Sequence, residues 1–332
     1  MTFSIPRLPI DENQEDHNAS TIALKASFPK SASEPGPSTV PTSKIGRRQF
    51  TEGVEDPWEF NAWDNVHWDE EQQRFADETV LKQASCPVPD NLQEKFNETP
   101  SSFWNTFYKT RKDTFFKDRA WLRNEFPILA ESVKVDSGKV KIAEIGCGPG
   151  NTTYPILSVN ENPELMLYAL DYSDKAIEIL KENPAYDQRN CVGEVWDLSS
   201  IKLPESIKPG TLDIAILIFC FSALHPKEWT QAIQNIFTML KPGGKVLFRD
   251  YARFDLTQLR MKGSRYMQDN LYIRGDGTRV YFFEKDELVK IFCDQNFILE
   301  NVTLDRRLLL NRARKLKMYR MWLQGEFCKP LA

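Results

Sequence analysis

Glu144-Ile145-Gly146-Cys147-Gly148-Pro149-Gly150-Asn151 is the stretch on which the reading of this chain turns. It follows an apolar run, Val140 to Ile145, of the kind that forms a strand buried on both faces. Glycines in alternate positions then allow a sharp turn and a close approach of backbone to a ligand. Asn151 opens a helical pattern, so the loop ends at a helix N-terminus. About 20 residues on, Leu167-Tyr168-Ala169-Leu170-Asp171 reads as a second strand ending in a carboxylate placed to accept hydrogen bonds from ribose hydroxyls. The unit predicts a nucleoside-binding βαβ.

Glycine spacing narrows the nucleoside. Dinucleotide sites use G-x-G-x-x-G, which aims backbone N–H groups at a pyrophosphate. The pattern here is E-x-G-x-G-x-G, which resembles motif I of S-adenosylmethionine-dependent methyltransferases. The cofactor of those enzymes has no phosphate, and a dehydrogenase is disfavoured on the same spacing.

From residue 139 onward, strand and helix patterns alternate. Strands are expected at 139–146, 165–171, 190–196, 212–219 and 245–250, with helices at Lys227 to Leu240 and Lys285 to Asp294. Lys241-Pro242-Gly243-Gly244 reads as a helix stop and a tight turn. Two final strands are expected at 297–304 and 316–323. The prediction is an α/β domain with a doubly wound, mainly parallel seven-stranded sheet and an N-terminal extension.

Three segments follow: a leader at 1–50 rich in Ser, Pro, Thr and Lys and expected to be disordered, an aromatic and helical extension at 51–135, and the sheet domain at 136–332. In the extension, tryptophans interleave with acids over 55–82. At 92–126, Phe103 pairs with Phe107 and Trp104 with Tyr108 at four-residue spacing, making two aromatic helix faces.

The chain has 332 residues, 41% of them hydrophobic, and a formal net charge of -4. Acids concentrate at 51–78 and Arg and Lys at 249–320, so local patches, not net charge, would steer a polyanion. Six scattered cysteines without a C-x-x-C pair, and three histidines, offer no zinc site, and no metal is expected. No apolar run has the length of a membrane span, so no membrane partner is expected. Cytoplasm is the default location, with room for a nuclear pool.

Ligands of doubly wound sheets bind beyond the C-terminal strand ends. Strand three ends at Asp197, a candidate acceptor for the adenine amine with an Asx turn as its alternative. His225 before Pro226 reads more readily as a turn residue than as a pocket residue. Strand five ends at Arg249-Asp250-Tyr251, three side chains able to bind a base or a phosphate. Asp250 is the candidate for stabilising positive charge and orienting the base. Basic and aromatic residues interleave around Arg274 and Arg279, as suits unstacked bases on a cationic surface. Gly275-Asp276-Gly277 reads as a turn between strands.

Beyond the glycine loop, the strings FWNTFYKTRKDTFFKDRAWLRNEF, LIFCFSALHP, FRDYARFDLTQLR, YIRGDGTRVYFF, DRRLLLNRARKLKMYRMW and FCKPL give the chain a close resemblance to the tRNA N3-methylcytidine methyltransferases, from about Pro57 to Leu331. EFNAWDNVHWDEEQ resembles the extension of the threonine-tRNA branch. The resemblance implies the class I methyltransferase fold, S-adenosylmethionine as cofactor, and methylation of cytidine 32 in the anticodon loop, chiefly of threonine tRNAs, with serine isoacceptors as further candidates. It also leaves room for a helper protein. It implies that Trp104 and Tyr108 close over the methionine part of the cofactor and that Gly146, with Gly148 beside it, approaches it. Asp171 then holds the ribose, Asp197 and Leu198 flank the adenine, and Ile218 lines the pocket. Arg306, Arg307, Arg312, Arg314, Lys315 and Lys317 are expected to join Arg249, Tyr251, Arg274 and Arg279 in holding tRNA. The rival classes are a methyltransferase acting on a protein or small molecule, and a binding subunit without the reaction.

Overall fold

The structure, a computed structural model, describes residues 56–111 and 116–331; the leader expected at 1–50 lies outside the described residues. The elements run β1 (Ala62–Asp64), α1 (Glu70–Ala84), α2 (Asp90–Glu98), α3 (Pro100–Arg111), α4 (Leu122–Glu125), α5 (Pro127–Ser132) and β2 (Val140–Ile145). There follow α6 (Thr153–Leu157), β3 (Leu165–Asp171), α7 (Asp174–Glu182), β4 (Cys191–Val195), β5 (Leu212–Ile218), α8 (Trp229–Met239) and β6 (Leu240–Tyr251). The last are α9 (Leu256–Leu259), β7 (Tyr266–Gln268), β8 (Leu271–Ile273), β9 (Arg279–Tyr281), α10 (Lys285–Cys293), β10 (Ile298–Asn311) and β11 (Leu316–Cys328).

The chain divides into two compact units: Trp68–Asp305 with Met321–Ala332, and the segment through His67 with Arg306–Arg320. Helices α1 to α5 fall in the same unit as most of the sheet.

In the larger unit the strand order is β10-β11-β6-β5-β2-β3-β4. The contacts β2–β3, β3–β4, β2–β5 and β5–β6 are parallel, and β11 runs antiparallel to β6, so the expected doubly wound, mainly parallel sheet is what forms. Successive strands proceed outward from β2 in one direction through β3 and β4, and in the other through β5 and β6. The order reverses beside β2, and the crevice for a ligand opens there. Strands β3 and β5 are nearly continuous apolar runs because both their faces are covered. Ile142, Leu167, Ala169, Ile214, Ile216 and Leu247 form the centre of that core. The Lys241-Pro242-Gly243-Gly244 segment lies inside β6, which begins at Leu240 directly after α8. A separate three-stranded sheet, β7-β8-β9, contains the expected turn at 275–277 between β8 and β9.

In the smaller unit, β1 pairs antiparallel with β10, Ala62 opposite Leu309 and Asp64 opposite Arg307. Trp63, Val66, Leu308 and Leu310 are buried together, with Trp58, Phe60 and Tyr319 packed around them. Trp63 Nε1–H donates to Pro57 O at 2.8 Å, which gives the buried indole its partner. This is where Trp58 and Trp63 of the tryptophan-rich segment find their fold. No described helix is long and apolar enough to cross a membrane.

Candidate cofactor and acceptor site

A cleft opens at the C-terminal ends of β2, β3, β4 and β5 in the larger unit. Gly146 lines it after β2, Asp171 and Tyr172 at the end of β3, Trp196, Asp197 and Leu198 after β4, and Phe219 and Cys220 after β5. Trp104 and Tyr108 of α3 form a further wall, their rings stacked at 5.9 Å and 28°. Arg279 and Glu228 close another side.

The glycine loop is held by its neighbours. Gly146 and Cys147 N–H both donate to Leu170 O, at 2.7 and 3.0 Å. Gly146 has φ +70°, and a Cβ there would lie 2.5 Å from Cys220 Sγ. Gly148 has φ +55°, and a Cβ there would lie 2.8 Å from the Tyr108 hydroxyl oxygen. Any larger residue at either position would be strained and would push the cleft walls apart. Asp171 is the hinge of the arrangement. Its Oδ2 accepts from Gly148 N–H at 2.8 Å and its Oδ1 from Ser173 N–H at 2.9 Å. Burial pushes its carboxyl up to about 6, against the pull of those N–H groups. The Tyr108 phenol is pushed up by burial and by the Asp171 charge, so it remains a neutral hydroxyl.

Glu144, the acid that begins the motif, does not line the cleft. It is buried, accepts from the Thr153 hydroxyl at 2.6 Å, and lies 3.9 Å from Arg119. Burial raises its carboxyl to about 7. It braces the start of α6 from below the loop.

The other residues singled out in the sequence divide between the cleft, the core and turns. Ile218 is 1% exposed and belongs to the core; the next two residues, Phe219 and Cys220, make the cleft wall at that strand. Asp197 Oδ1 accepts from Ser199 N–H and Oγ–H, both at 2.8 Å, so the Asx turn and the cleft position coexist in one residue. His225 caps a short 3₁₀ turn, its Nδ1 accepting from Lys227 N–H at 3.2 Å, as a turn residue would.

The trio closing β6 separates sharply. Arg249 is 3% exposed, donates to Gln324 Oε1 at 2.7 Å and Asp305 Oδ2 at 2.6 Å, and lies between the rings of Trp121 and Trp322 at 5.2 and 5.0 Å. A guanidinium so enclosed cannot present itself to a phosphate. Asp250 is fully buried and accepts from Ser222 N–H and Tyr251 N–H, each at 2.9 Å. Burial raises its carboxyl to about 6, but it is not in the cleft wall. Its geometry is that of a brace on the turn after β5, not of a group touching substrate. Tyr251 alone of the three extends toward the site: its ring meets Phe219 at 5.1 Å, and the half-buried Arg274 guanidinium lies over that same ring, 5.6 Å from its centroid.

Arg279, expected among tRNA contacts, is 4% exposed. It donates to Glu228 Oε2 at 3.0 Å, Ala223 O at 3.1 Å and Asn97 Oδ1 at 3.3 Å, a clamp between β9, α2 and the turn before α8. In the smaller unit, Arg306 is half-buried and Arg307 pairs with Asp64 at 3.0 Å. Arg312, Arg314 and Lys315 are exposed. Lys315 Nζ lies 5.0 Å over the Trp58 ring, and Arg312 donates to Glu59 O at 3.2 Å.

Tyr172, Trp196, Phe219, Cys220 and Glu228 line the cleft without having been singled out in the sequence. Four of them adjoin a strand end, and that adjacency was the available signal. Phe219 carries a mark no sequence pattern discloses, a positive φ of 54° on a non-glycine residue.

Fold and cleft together define a class I S-adenosylmethionine-dependent methyltransferase, and a family model described as a methyltransferase domain matches residues 143–246. The residues present suit that cofactor: a carboxylate at the cleft wall for ribose hydroxyls, and a stacked aromatic pair able to face a sulfonium. Among similar proteins, the tRNA(Thr) (cytosine(32)-N(3))-methyltransferase of Saccharomyces cerevisiae is 47% identical over 289 residues, 86% of this chain and 46% of that protein. The chain thus spans about half the length of that relative. A tRNA N(3)-methylcytidine methyltransferase of Schizosaccharomyces pombe is 47% identical over 86% of this chain and 92% of its own length. One from Drosophila melanogaster is 42% identical over 87% and 89%. The chain belongs to the tRNA N3-methylcytidine methyltransferase family.

Proposed function

We propose that this chain transfers a methyl group from S-adenosylmethionine to N3 of cytidine 32 in the anticodon loop of threonine tRNA, with serine isoacceptors as the next substrates to test. The observation that carries the reading is the cleft itself: a carboxylate and a glycine loop on one side and a stacked Trp104–Tyr108 pair on the other, in a chain whose relatives over most of its length are named for N3 methylation of tRNA cytidine, the Saccharomyces cerevisiae one for cytosine 32 of threonine tRNA.

The bound cofactor supplies an electrophilic methyl group on a sulfonium. Asp171 accepts from the ribose hydroxyls with the lone pairs its backbone donors leave free. Asp197, Leu198 and Trp196 flank the adenine. Trp104 and Tyr108 face the sulfonium, an attraction of about 0.5 to 2 kcal/mol that also excludes water. Cytosine N3 has a free lone pair at neutral pH, so no general base is required. The work left to the protein is alignment of the acceptor nitrogen with the methyl carbon and sulfur. Tyr251, in contact with Phe219 and covered by Arg274, offers the stacking surface for the unstacked base, whose extrusion costs a few kcal/mol. Asp250 acts on this surface through the Ser222 turn rather than on the base. Arg312, Arg314 and Lys315 hold the tRNA backbone, and the reaction runs in the cytoplasm without a metal.

The test is incubation of purified protein with labelled S-adenosylmethionine and a panel of tRNA transcripts, followed by nucleoside mass spectrometry. N3-methylcytidine at position 32 of threonine tRNA is the expected result. Methyl transfer to another nucleoside, or to protein in preference to tRNA, overturns the reading. Activity that requires a cell fraction in addition identifies a helper.

A further inference from the structure

One side-chain hydrogen bond ties α3 to the opposite side of the cofactor cleft. Ser173 Oγ–H donates to Asn105 Oδ1 at 2.6 Å. Ser173 is also the N-cap of α7, its Oγ accepting from Ala176 N–H at 3.2 Å, so the hydroxyl is used in both directions. The backbone N–H of the same residue donates to Asp171 Oδ1, while the other Asp171 oxygen takes Gly148 N–H. Tyr108, on the same helix as Asn105, places its hydroxyl against Gly148. Helix α3 therefore touches both ends of a single carboxylate's hydrogen-bond set, through Asn105 at one end and Tyr108 at the other.

The rest of the contact between α3 and α7 is apolar: Phe107 and Tyr108 are buried with Ala176, and Trp104 and Ile179 pack beside them. Apolar burial is strong but not directional. It holds the helix down without setting its rotation about its own axis. A short hydroxyl–amide hydrogen bond does set that rotation, and Asn105 adjoins Trp104, so the bond governs where the indole points. Half-buried Asn105 makes no other side-chain hydrogen bond among the described residues, and the hydrophobic stripe of the helix does not need it.

We propose that Asn105 is a positioning residue: through Ser173 it latches α3 to the hydrogen-bond set of Asp171, and so sets how firmly the Trp104–Tyr108 pair closes on the cofactor and how fast S-adenosylhomocysteine leaves. The inference rests on the assignment of Trp104 and Tyr108 to the cofactor.

The experiment uses the full chain and S-adenosylhomocysteine as the probe, with affinity from titration calorimetry, release from stopped-flow tryptophan fluorescence, and stability from thermal unfolding. Asn105→Ala is expected to raise Kd and the release rate together by about three- to tenfold, the scale of one hydrogen bond, while Tm barely moves. Ser173→Ala also removes a helix cap and lowers Tm, so the coupling between the two changes is the decisive quantity. In the double variant, Kd is expected no weaker than in the worse single variant. Unchanged Kd in Asn105→Ala, independent multiplication of the two effects, or a fall in Tm without a change in release overturns the latch. Trp104→Ala separates this failure from failure of the underlying assignment: if it weakens binding while Asn105→Ala does not, only the latch falls. If neither weakens binding, the lid assignment falls as well.

Discussion

Asp171 is the last residue of β3 and Asp250 the last but one of β6, and burial raises both carboxyls to about 6. Asp171, 7% exposed, lines the cleft and binds the loops that form it; Asp250, 0% exposed, is sealed between its own strand and the Ser222 turn. The difference lies in where each strand stands. β3 adjoins β2, beside which the strand order reverses and a crevice opens. β6 is one strand beyond β5, and antiparallel β11 covers its other side, Leu323 opposite Asp250. A strand-end carboxylate becomes a ligand site only where the topology leaves room above it; elsewhere the same carboxylate satisfies backbone donors.

The largest effect expected from this contrast is at Arg249, beside Asp250. Arg249→Ala removes the guanidinium that pairs with buried Asp305 and should destabilise the fold by about 3–5 kcal/mol, read by denaturant unfolding. A loss under about 1 kcal/mol would show that the pair is solvated as surface pairs are. Next comes Asp171→Ala, which removes the acceptor for two buried N–H groups as well as for the ribose. The orphaned N–H groups lower stability, and at about 1.5–3 kcal/mol for a hydrogen bond to a charged acceptor the lost ribose contact should raise S-adenosylhomocysteine Kd about ten- to hundredfold in calorimetry. Asp250→Asn should show the opposite partition, costing about 1–3 kcal/mol in stability with cofactor Kd within about twofold. A cofactor defect in the second variant comparable to the first would erase the distinction.

The pH dependence sharpens it further. Both carboxyls titrate higher in the fold than their ordinary 3.8, so their protonation favours the folded state. That contribution is fully present below pH 3.8 and is lost as pH rises through about 6. Cofactor binding has the reverse sign, because the ribose hydroxyls need the ionised Asp171. Affinity should fall about tenfold between pH 7 and pH 5, with the inflection lost in Asp171→Asn and kept in Asp250→Asn. The smallest effect concerns the hairpin tip. Arg312→Ala with Arg314→Ala should weaken tRNA binding severalfold and flatten the slope of log K against log salt by about 1.5–2, with cofactor affinity unmoved. An unchanged slope would remove these residues from the interface.

Periodicity and the glycine loop disclosed the parallel strands nearly to the residue, because β2, β3 and β5 are apolar throughout and bounded by turns. The C-terminal pair is longer than its alternation suggested, β10 running to Asn311 and β11 to Cys328, because pairing with neighbours sustains a strand past the point where its own pattern fades. Strand β1 was not legible: three residues within an acidic, tryptophan-rich segment form a strand only because β10 lies alongside. Within the site, Asp171, Asp197 and the glycines were readable from their place at strand ends. Side-chain direction was not. Arg249 resembles a surface cation in sequence and is enclosed only because Asp305, Gln324 and two tryptophans, all distant along the chain, converge on it.

On the function proposed above, the cofactor ribose is held at Asp171, with the Trp104–Tyr108 pair over the sulfur and Asp250 out of reach. A crystal structure of the full chain with S-adenosylhomocysteine tests it most directly. Ribose hydroxyls within hydrogen-bond distance of Asp171 and the homocysteine sulfur against the two stacked rings are the expected result. A cofactor seated against Asp250, or outside the cleft at the ends of β2 to β5, would contradict it.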